Sequence, residues 1–210
     1  MRLSPAANSM WNLVFAAVLF LGGMLSAPGV RAELVASPDG QTVYDTEADI
    51  TWLANANLAA FKTFGVDGVN PDGSMEWTVA QNWVAALNAA RYLGSSQWSL
   101  PTTQMPDEGC SQKPKSAAFG YFCTASQMGK LYYKDLGGVK ASTIHLKHGA
   151  SFNLFNNFQP YLYWSATLWE KVPNSAFSFS FGNGFQGTNV FANAMYAIPV
   201  APGKVGFGSR

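Results

Sequence analysis

The sequence of 210 residues is only 12% charged and carries a formal net charge of +1, while aromatic residues make up 14% of it. A chain of this length and composition can bury a sizeable core, and its near-neutral charge gives nucleic-acid binding little support. The sequence holds no evident nucleophile–base pair, phosphate-binding loop or cluster of metal ligands. It therefore indicates a fold and a location more directly than an activity.

Residues 1–32 have the pattern of a secretory signal peptide. Arg2 provides a basic start, residues 11–25 are apolar, and Val30 and Ala32 occupy the positions that signal peptidase reads. The apolar stretch is shorter than the roughly 20 residues that span a bilayer. We therefore predict cleavage after Ala32 and a secreted or periplasmic mature protein, with an uncleaved N-terminal anchor as the alternative.

The remaining residues, 33–210, have a length typical of a single domain. They carry 11 basic and 12 acidic residues, but the two signs are unevenly distributed. Residues 33–108 contain ten acidic and two basic residues, whereas residues 109–210 contain nine basic and two acidic ones. This asymmetry is compatible with an anionic partner for the second half, and equally with two halves that attract each other across one fold.

In chain order, the first predicted elements are a pair of strands at 42–44 and 50–52. A helix is expected to follow a loop, because Thr78 and Gln81 have the spacing of a capping box and apolar residues then recur on one face. Gly94 is the predicted stop signal of this helix.

A second capping box, Thr124 with Gln127, predicts a second helix that ends at the pair of glycines 137–138. The last third of the chain is rich in strand-forming residues, with a Gly-Asn-Gly turn at 182–184. The strands expected there cover 163–167, 177–181, 186–191 and 195–200. Together these elements predict an α+β fold with two helices packed on short, mostly antiparallel strands.

The two cysteines, Cys110 and Cys123, flank one polar loop. In an oxidising compartment we expect them to form a disulfide that closes this loop. The alternative is a reactive cysteine pair, which needs a cationic neighbour to lower a thiol pKa, and Lys113 and Lys115 are near in sequence.

Three short motifs follow one another in a fixed order along the domain. They are Trp-Ser-Leu-Pro-Thr at 98–102, Tyr-Trp-Ser-Ala-Thr at 163–167, and the Phe-Ser-Phe-Ser-Phe strand at 177–181 that leads into a Gly-Asn turn. With the Trp-containing first helix, this order resembles the bacterial Lcl C-terminal domain family over about residues 42–200. Members of that family usually end in an arginine-containing strand, whereas this chain reads Met-Tyr-Ala-Ile-Pro-Val at 195–200.

The resemblance implies a C-type lectin-like fold, to which the family is related. It also implies a secreted recognition module, because the best-understood family member binds sulfated glycosaminoglycans. Calcium-dependent sugar binding is not expected, since the nearest strings, Gln-Pro-Tyr at 159–161 and Val-Pro-Asn at 172–174, each lack an oxygen ligand. Formylglycine-generating enzymes share the broader fold and need catalytic cysteines, a role for which this loop-flanking pair is poorly suited.

The candidate ligand-binding residues fall into two groups. We expect an anionic glycan to bind to a basic patch and to a set of aromatic and amide residues in turns. The patch comprises Lys113, Lys115, Lys140, His145, Lys147 and His148, and the second group comprises Trp169, Asn183, Gln186 and Asn189. The His-x-x-His spacing of the two histidines is also compatible with a zinc site, but the sequence shows no third ligand. For both groups, the alternative is that they are ordinary surface lysines and turn residues.

These observations predict a secreted, non-enzymatic binding module for a polysaccharide or cell-surface glycan, with no cofactor, no metal and no nucleic-acid partner. A structural envelope or matrix protein that packs with other proteins is the alternative, and homo-oligomer formation remains open. An exported hydrolase is not favoured, because the few titratable residues of the second half have no convincing catalytic partner.

Overall fold

The computed structural model describes Met1 and residues 33–112 and 114–208, so the predicted signal peptide lies outside the described residues. From Glu33 onward the described residues belong to one compact α+β unit. Its strands form two antiparallel sheets. Within the described part of the chain, no helix has both the length and the apolar character needed to cross a membrane.

The first sheet has the strand order β1-β2-β3-β7. Its strands are β1 (Leu34–Ala36), β2 (Thr42–Asp45), β3 (Ile50–Leu53) and β7 (Val200–Pro202). The predicted pair of early strands is therefore confirmed as β2 and β3. The pairing of Trp52 with Val200 brings the end of the domain against its beginning.

The second sheet has the order β4-β5-β6. Its strands are β4 (Leu162–Leu168), β5 (Ser175–Ser180) and β6 (Gln186–Val190), close to the predicted ranges. Gly184 adopts a φ of +80° in the predicted turn between β5 and β6. The strand expected at 195–200 is wrong in extent, because Met195 makes only a single bridge to Met75 and regular pairing begins at Val200.

The described part of the chain contains two α-helices, as predicted, but neither begins with a capping box. Helix α1 (Trp77–Ala89) begins after Glu76, and α2 (Gln127–Lys130) begins after Ser126, in both cases without a capping hydrogen bond from a side chain. Helix α2 continues into one π-helical turn, Leu131–Asp135. The end of α1 also differs from the prediction, because the helix stops at Ala89 and the chain turns through a left-handed Arg91 before reaching Gly94.

The tryptophans of the sequence motifs lie in the core. Trp52, Trp83, Trp98 and Trp164 are all buried. Trp164 of β4 is fully buried in the core cluster that also contains the buried face of α1, and its indole N–H donates to the Met75 carbonyl at 2.9 Å. The indole N–H of Trp98 donates to the Tyr92 carbonyl at the same distance. The indole N–H groups of Trp83, Trp98 and Trp164 thus have backbone acceptors within the fold, whereas the buried Trp52 indole N–H has none among the described residues.

Candidate functional site

The loop between Cys110 and Cys123, called here the disulfide loop, is fixed firmly to the second sheet. The two cysteines form the predicted disulfide, with Cα atoms 4.2 Å apart. Gly120 and Gln186 exchange backbone hydrogen bonds of 2.9 and 2.8 Å, which join the loop to the first residue of β6. The disulfide loop is therefore an anchored surface feature, although it contains almost no regular secondary structure.

Gln186 was predicted to contact a ligand, but its side chain anchors the disulfide loop instead. Its side chain is buried, and its Nε2 atom donates to the Ala118 carbonyl at 2.7 Å. A buried amide with this partner is not available to a ligand at the surface, so the predicted role of Gln186 is replaced by a structural one.

Asp107 closes the loop from its other side, and sequence reasoning missed it. The buried carboxylate accepts backbone hydrogen bonds from Gly109 on one oxygen and from Ala125 and Ser126 on the other. It thus joins the chain before the first cysteine to the chain after the second. The Asp-Glu-Gly sequence at 107–109 was the available signal, because Asp commonly bonds the backbone two residues ahead.

A lysine lies over an aromatic ring at one edge of the disulfide loop. The Lys140 Nζ atom is 4.9 Å from the centre of the Tyr121 ring, within the range of a cation–π contact. Tyr121 packs edge-on against Phe185, and the Ala141 N–H donates to the Asn183 carbonyl at 2.8 Å. Lys140 and Asn183, both predicted site residues, are therefore brought to the same edge of the loop.

A second lysine–aromatic pair packs against another residue of the loop, Phe119. The Lys171 Nζ atom lies 5.2 Å from the centre of the Trp169 ring, which packs edge-on against Phe119 of the loop. Trp169 is half-buried and lines a groove of about 600 Å³. The other residues of the groove are Met105, Pro106, Ser116, Thr167, Leu168, Glu170 and Lys171.

Tyr121 and Lys171 were not among the predicted site residues. For Lys171 the usable signal was its position two residues after Trp169 in a turn-rich segment. For Tyr121 the signal was a pair of adjacent aromatic residues, Tyr121 and Phe122, placed just before a cysteine. Phe122 remains 44% exposed, which is unusual for a side chain of this kind beside a core.

The two histidines are brought together by a phenylalanine. His148 stacks on the Phe152 ring with a centre-to-centre distance of 4.3 Å, and His145 meets the same ring edge-on. The His145 Nε2 atom is also 2.8 Å from the Phe158 carbonyl oxygen. Among the described residues, no carboxylate or thiol joins these histidines in a cluster of three metal ligands.

The remaining predicted residues are dispersed. Lys147 is exposed on the same segment as the histidines, whereas the Asn189 amide donates to Ser178 at 2.8 Å within the second sheet. Lys115 lies in a single helical turn of the disulfide loop, and its side chain lies outside the described residues, as does the whole of Lys113. The structure therefore gathers part of the basic patch at the disulfide loop and leaves the histidine segment as a separate feature.

The comparison with known protein families agrees with the motifs of the sequence. Residues 41–201 match the model of the Lcl C-terminal domain, which covers most of the chain and nearly all of its described part. No curated protein and no solved structure matches the chain. The extent of the family match is sufficient to conclude that this chain belongs to the Lcl C-terminal domain family.

Proposed function

We propose that this protein is an exported, non-enzymatic recognition module that binds sulfated glycans through the surface around its disulfide loop. The observation that carries the proposal is the pair of lysines, Lys140 and Lys171, that lie over aromatic rings at the loop. The sequence of the disulfide loop also contains Lys113 and Lys115.

This arrangement suits the two kinds of surface that a sulfated sugar presents. The apolar face of a sugar ring packs against aromatic side chains such as Tyr121 and Trp169. Its sulfate groups are anions that pair with ammonium groups, and a lysine held over a ring presents its charge in a restricted position. The rigid attachment of the disulfide loop to β6 limits the ordering cost of binding.

The proposal includes export of the protein from the cytosol and a fold related to that of C-type lectins. A disulfide is typical of oxidising compartments outside the cytosol, and the sequence pattern of residues 1–32 agrees with secretion. The α+β architecture, in which a strand from the end of the domain pairs with an early strand, supports the proposed fold relationship. Lys147 and the adjacent histidines form a separate segment and are not part of this surface.

Retention on immobilised heparin tests the proposal directly. The double variant Lys140→Glu/Lys171→Glu should elute at a much lower salt concentration than the wild-type protein, because the contacts are electrostatic and screened by salt. Lys62→Glu/Lys204→Glu is a matched control with the same change of net charge, since these two lysines also lie over aromatic rings, 5.2 Å from the centre of Phe64 and 4.3 Å from that of Phe207, but outside the disulfide loop. Equal retention of the wild-type protein and the double variant would contradict the proposal.

Packing against other proteins is the second candidate, and one observation favours it. Leu168 and Val172 remain 46% and 45% exposed beside the Trp169 groove, which gives that surface an apolar rim. Exposed apolar patches commonly mark protein–protein contacts. If this function is the correct one, sedimentation velocity should show concentration-dependent self-association that Leu168→Lys reduces, and a protein that is monomeric at all concentrations would contradict self-packing.

A further inference from the structure

A small pocket on the first sheet has a chemistry quite different from that of the disulfide loop. It has a volume of about 280 Å³ and lies where Gln41 precedes β2 and where the chain leaves β3. We call it the amide pocket, because three carboxamide side chains line it. The lining residues used in the argument are Gln41, Leu53, Asn55, Leu58, Tyr92 and Asn156.

Neighbouring hydrogen bonds fix the orientation of two of these amides. The Asn157 Nδ2 atom donates to Oδ1 of both Asn55 and Asn156, at 3.1 Å in each case. The Asn57 backbone N–H also donates to the Asn55 Oδ1 atom at 3.0 Å, which excludes the flipped amide. The Nδ2 groups of Asn55 and Asn156 have no partner among the described residues, so both are free donors.

The third amide, that of Gln41, offers a hydrogen-bond acceptor rather than a donor. The Gln41 Nε2 atom donates to the Asp39 carboxylate at 3.1 Å, and because a carboxylate only accepts, the amide orientation is again fixed. This leaves the Gln41 Oε1 atom as an acceptor with no partner in the described part of the chain. The Tyr92 hydroxyl is likewise unpaired there, and a phenol can both donate and accept.

The backbone around these groups is held in place before any ligand arrives. The Ala56 N–H donates to the Asn156 carbonyl, and the Asn156 N–H donates to the Ala54 carbonyl, both at 2.9 Å. The Ala54 N–H in turn donates to the Gln41 carbonyl at 3.0 Å. The free donors and the free acceptor are therefore carried by a single hydrogen-bonded frame, which lowers the ordering cost of binding.

We propose that the amide pocket binds one neutral sugar ring. Adjacent hydroxyl groups both accept and donate hydrogen bonds, so they match two amide donors, an amide acceptor and a phenol. Leu53, Leu58 and the Tyr92 ring supply apolar contact for the carbon face of the ring. Within the described residues, the lining includes no charged side chain, which favours a neutral ligand. The volume of about 280 Å³ lies just below the roughly 300–1,000 Å³ range of drug-sized ligand sites, so it suits a single ring.

Saturation-transfer difference NMR with glucose, galactose, mannose and N-acetylglucosamine, each at millimolar concentration, tests this proposal. At least one of these sugars should give a signal that persists at high salt. The variant Asn156→Asp keeps an acceptor for the Asn157 amide but removes the free donor, so binding should weaken about tenfold. Asn153→Asp introduces the same charge at an exposed asparagine three residues earlier and should leave binding unchanged.

The outcomes separate this pocket from the proposed sulfated-glycan surface. Sugar binding that survives Lys140→Glu/Lys171→Glu but is weakened by Asn156→Asp supports the amide pocket, whatever the result on heparin. Absence of a signal from all four sugars would overturn the proposal. Binding that Asn156→Asp does not affect would also overturn it, as would preference for a short peptide such as trialanine over every sugar.

Discussion

Lys130 shows how a residue type that suggests a surface patch serves the interior instead. Its Nζ atom lies 2.8 Å from Asp45, 3.0 Å from Asp135 and 3.2 Å from Glu47. The side chains of Asp45 and Asp135 are almost fully buried. Burial opposes the charged form of Lys130, but its hydrogen bonds to Asp45 and Asp135 outweigh that cost and hold its pKa above the usual value. The ion cluster connects β2 to the end of the second helix.

Asp135 is expected to make stability depend on pH. Burial raises its pKa from 3.8 to about 6, although the hydrogen bond from Lys130 acts in the opposite direction. Because the folded state then binds a proton more readily than the unfolded state, this residue should make the protein more stable as the pH falls from about 7 to about 4. The Asp135→Asn variant should lose that component, which denaturant unfolding at several pH values would measure. Identical pH dependence of the two proteins would contradict the assignment.

At the level of the elements, the second helix is positioned by hydrogen bonds to the distant Trp-Ser-Leu-Pro-Thr motif rather than by a capping side chain next to it. The Gln127 Oε1 atom accepts a hydrogen bond of 2.6 Å from the Thr102 N–H, and the Gln127 N–H donates to the Thr102 carbonyl. Thr102 ends the Trp-Ser-Leu-Pro-Thr motif, so this motif contributes directly to the position of the helix.

The contact of Gln127 with Thr102 and the predicted cap by Thr124 can be compared with a matched pair of variants. Gln127→Ala should lower the free energy of unfolding by about 1 kcal/mol, because it leaves the Thr102 N–H without its partner. Thr124→Ala should have a smaller effect, since no hydrogen bond from the Thr124 side chain is present in the described structure. Urea unfolding of both variants would measure the difference. A larger loss for Thr124→Ala would favour the capping box instead.

The disulfide should contribute both stability and the shape of the candidate surface. Closing a loop of about 15 residues stabilises a fold by roughly 3 kcal/mol in the chain-entropy model. Reduction, or the double variant Cys110→Ser/Cys123→Ser, should therefore lower the melting temperature. The mass of the unreduced protein should be two hydrogens below that of the reduced form, and two free thiols in protein purified from an oxidising compartment would contradict the pairing.

The sequence predicted those elements whose signals are local. Alternating and β-branched residues identified five of the seven strands, and the motif tryptophans identified much of the core. The second capping box failed because Gln127 bonds to a residue 25 positions away, which no short pattern contains. The final strand was misplaced because residues 195–199 are buried by packing rather than by regular strand pairing.

At the scale of the molecule, the two proposed binding regions belong to different sheets. The disulfide loop is joined to β6 of the second sheet, whereas the amide pocket lies at the ends of strands of the first. The basic composition of residues 109–210 indicated part of the first region, because Lys140 and Lys171 both come from that half. The amide pocket had no comparable signal, since its asparagines and its glutamine come from distant segments that only the folded chain brings together.

We propose that the disulfide loop and its two flanking lysines form a sulfated-glycan surface. The most direct test of this proposal is a titration of the isotope-labelled protein with a defined heparin oligosaccharide at low salt, followed through backbone amide NMR shifts. The largest shifts should fall at residues 110–123, around Lys140 and at 169–171, and added salt should reverse them. Shifts confined to other parts of the protein, or no shifts at all, would contradict the proposal.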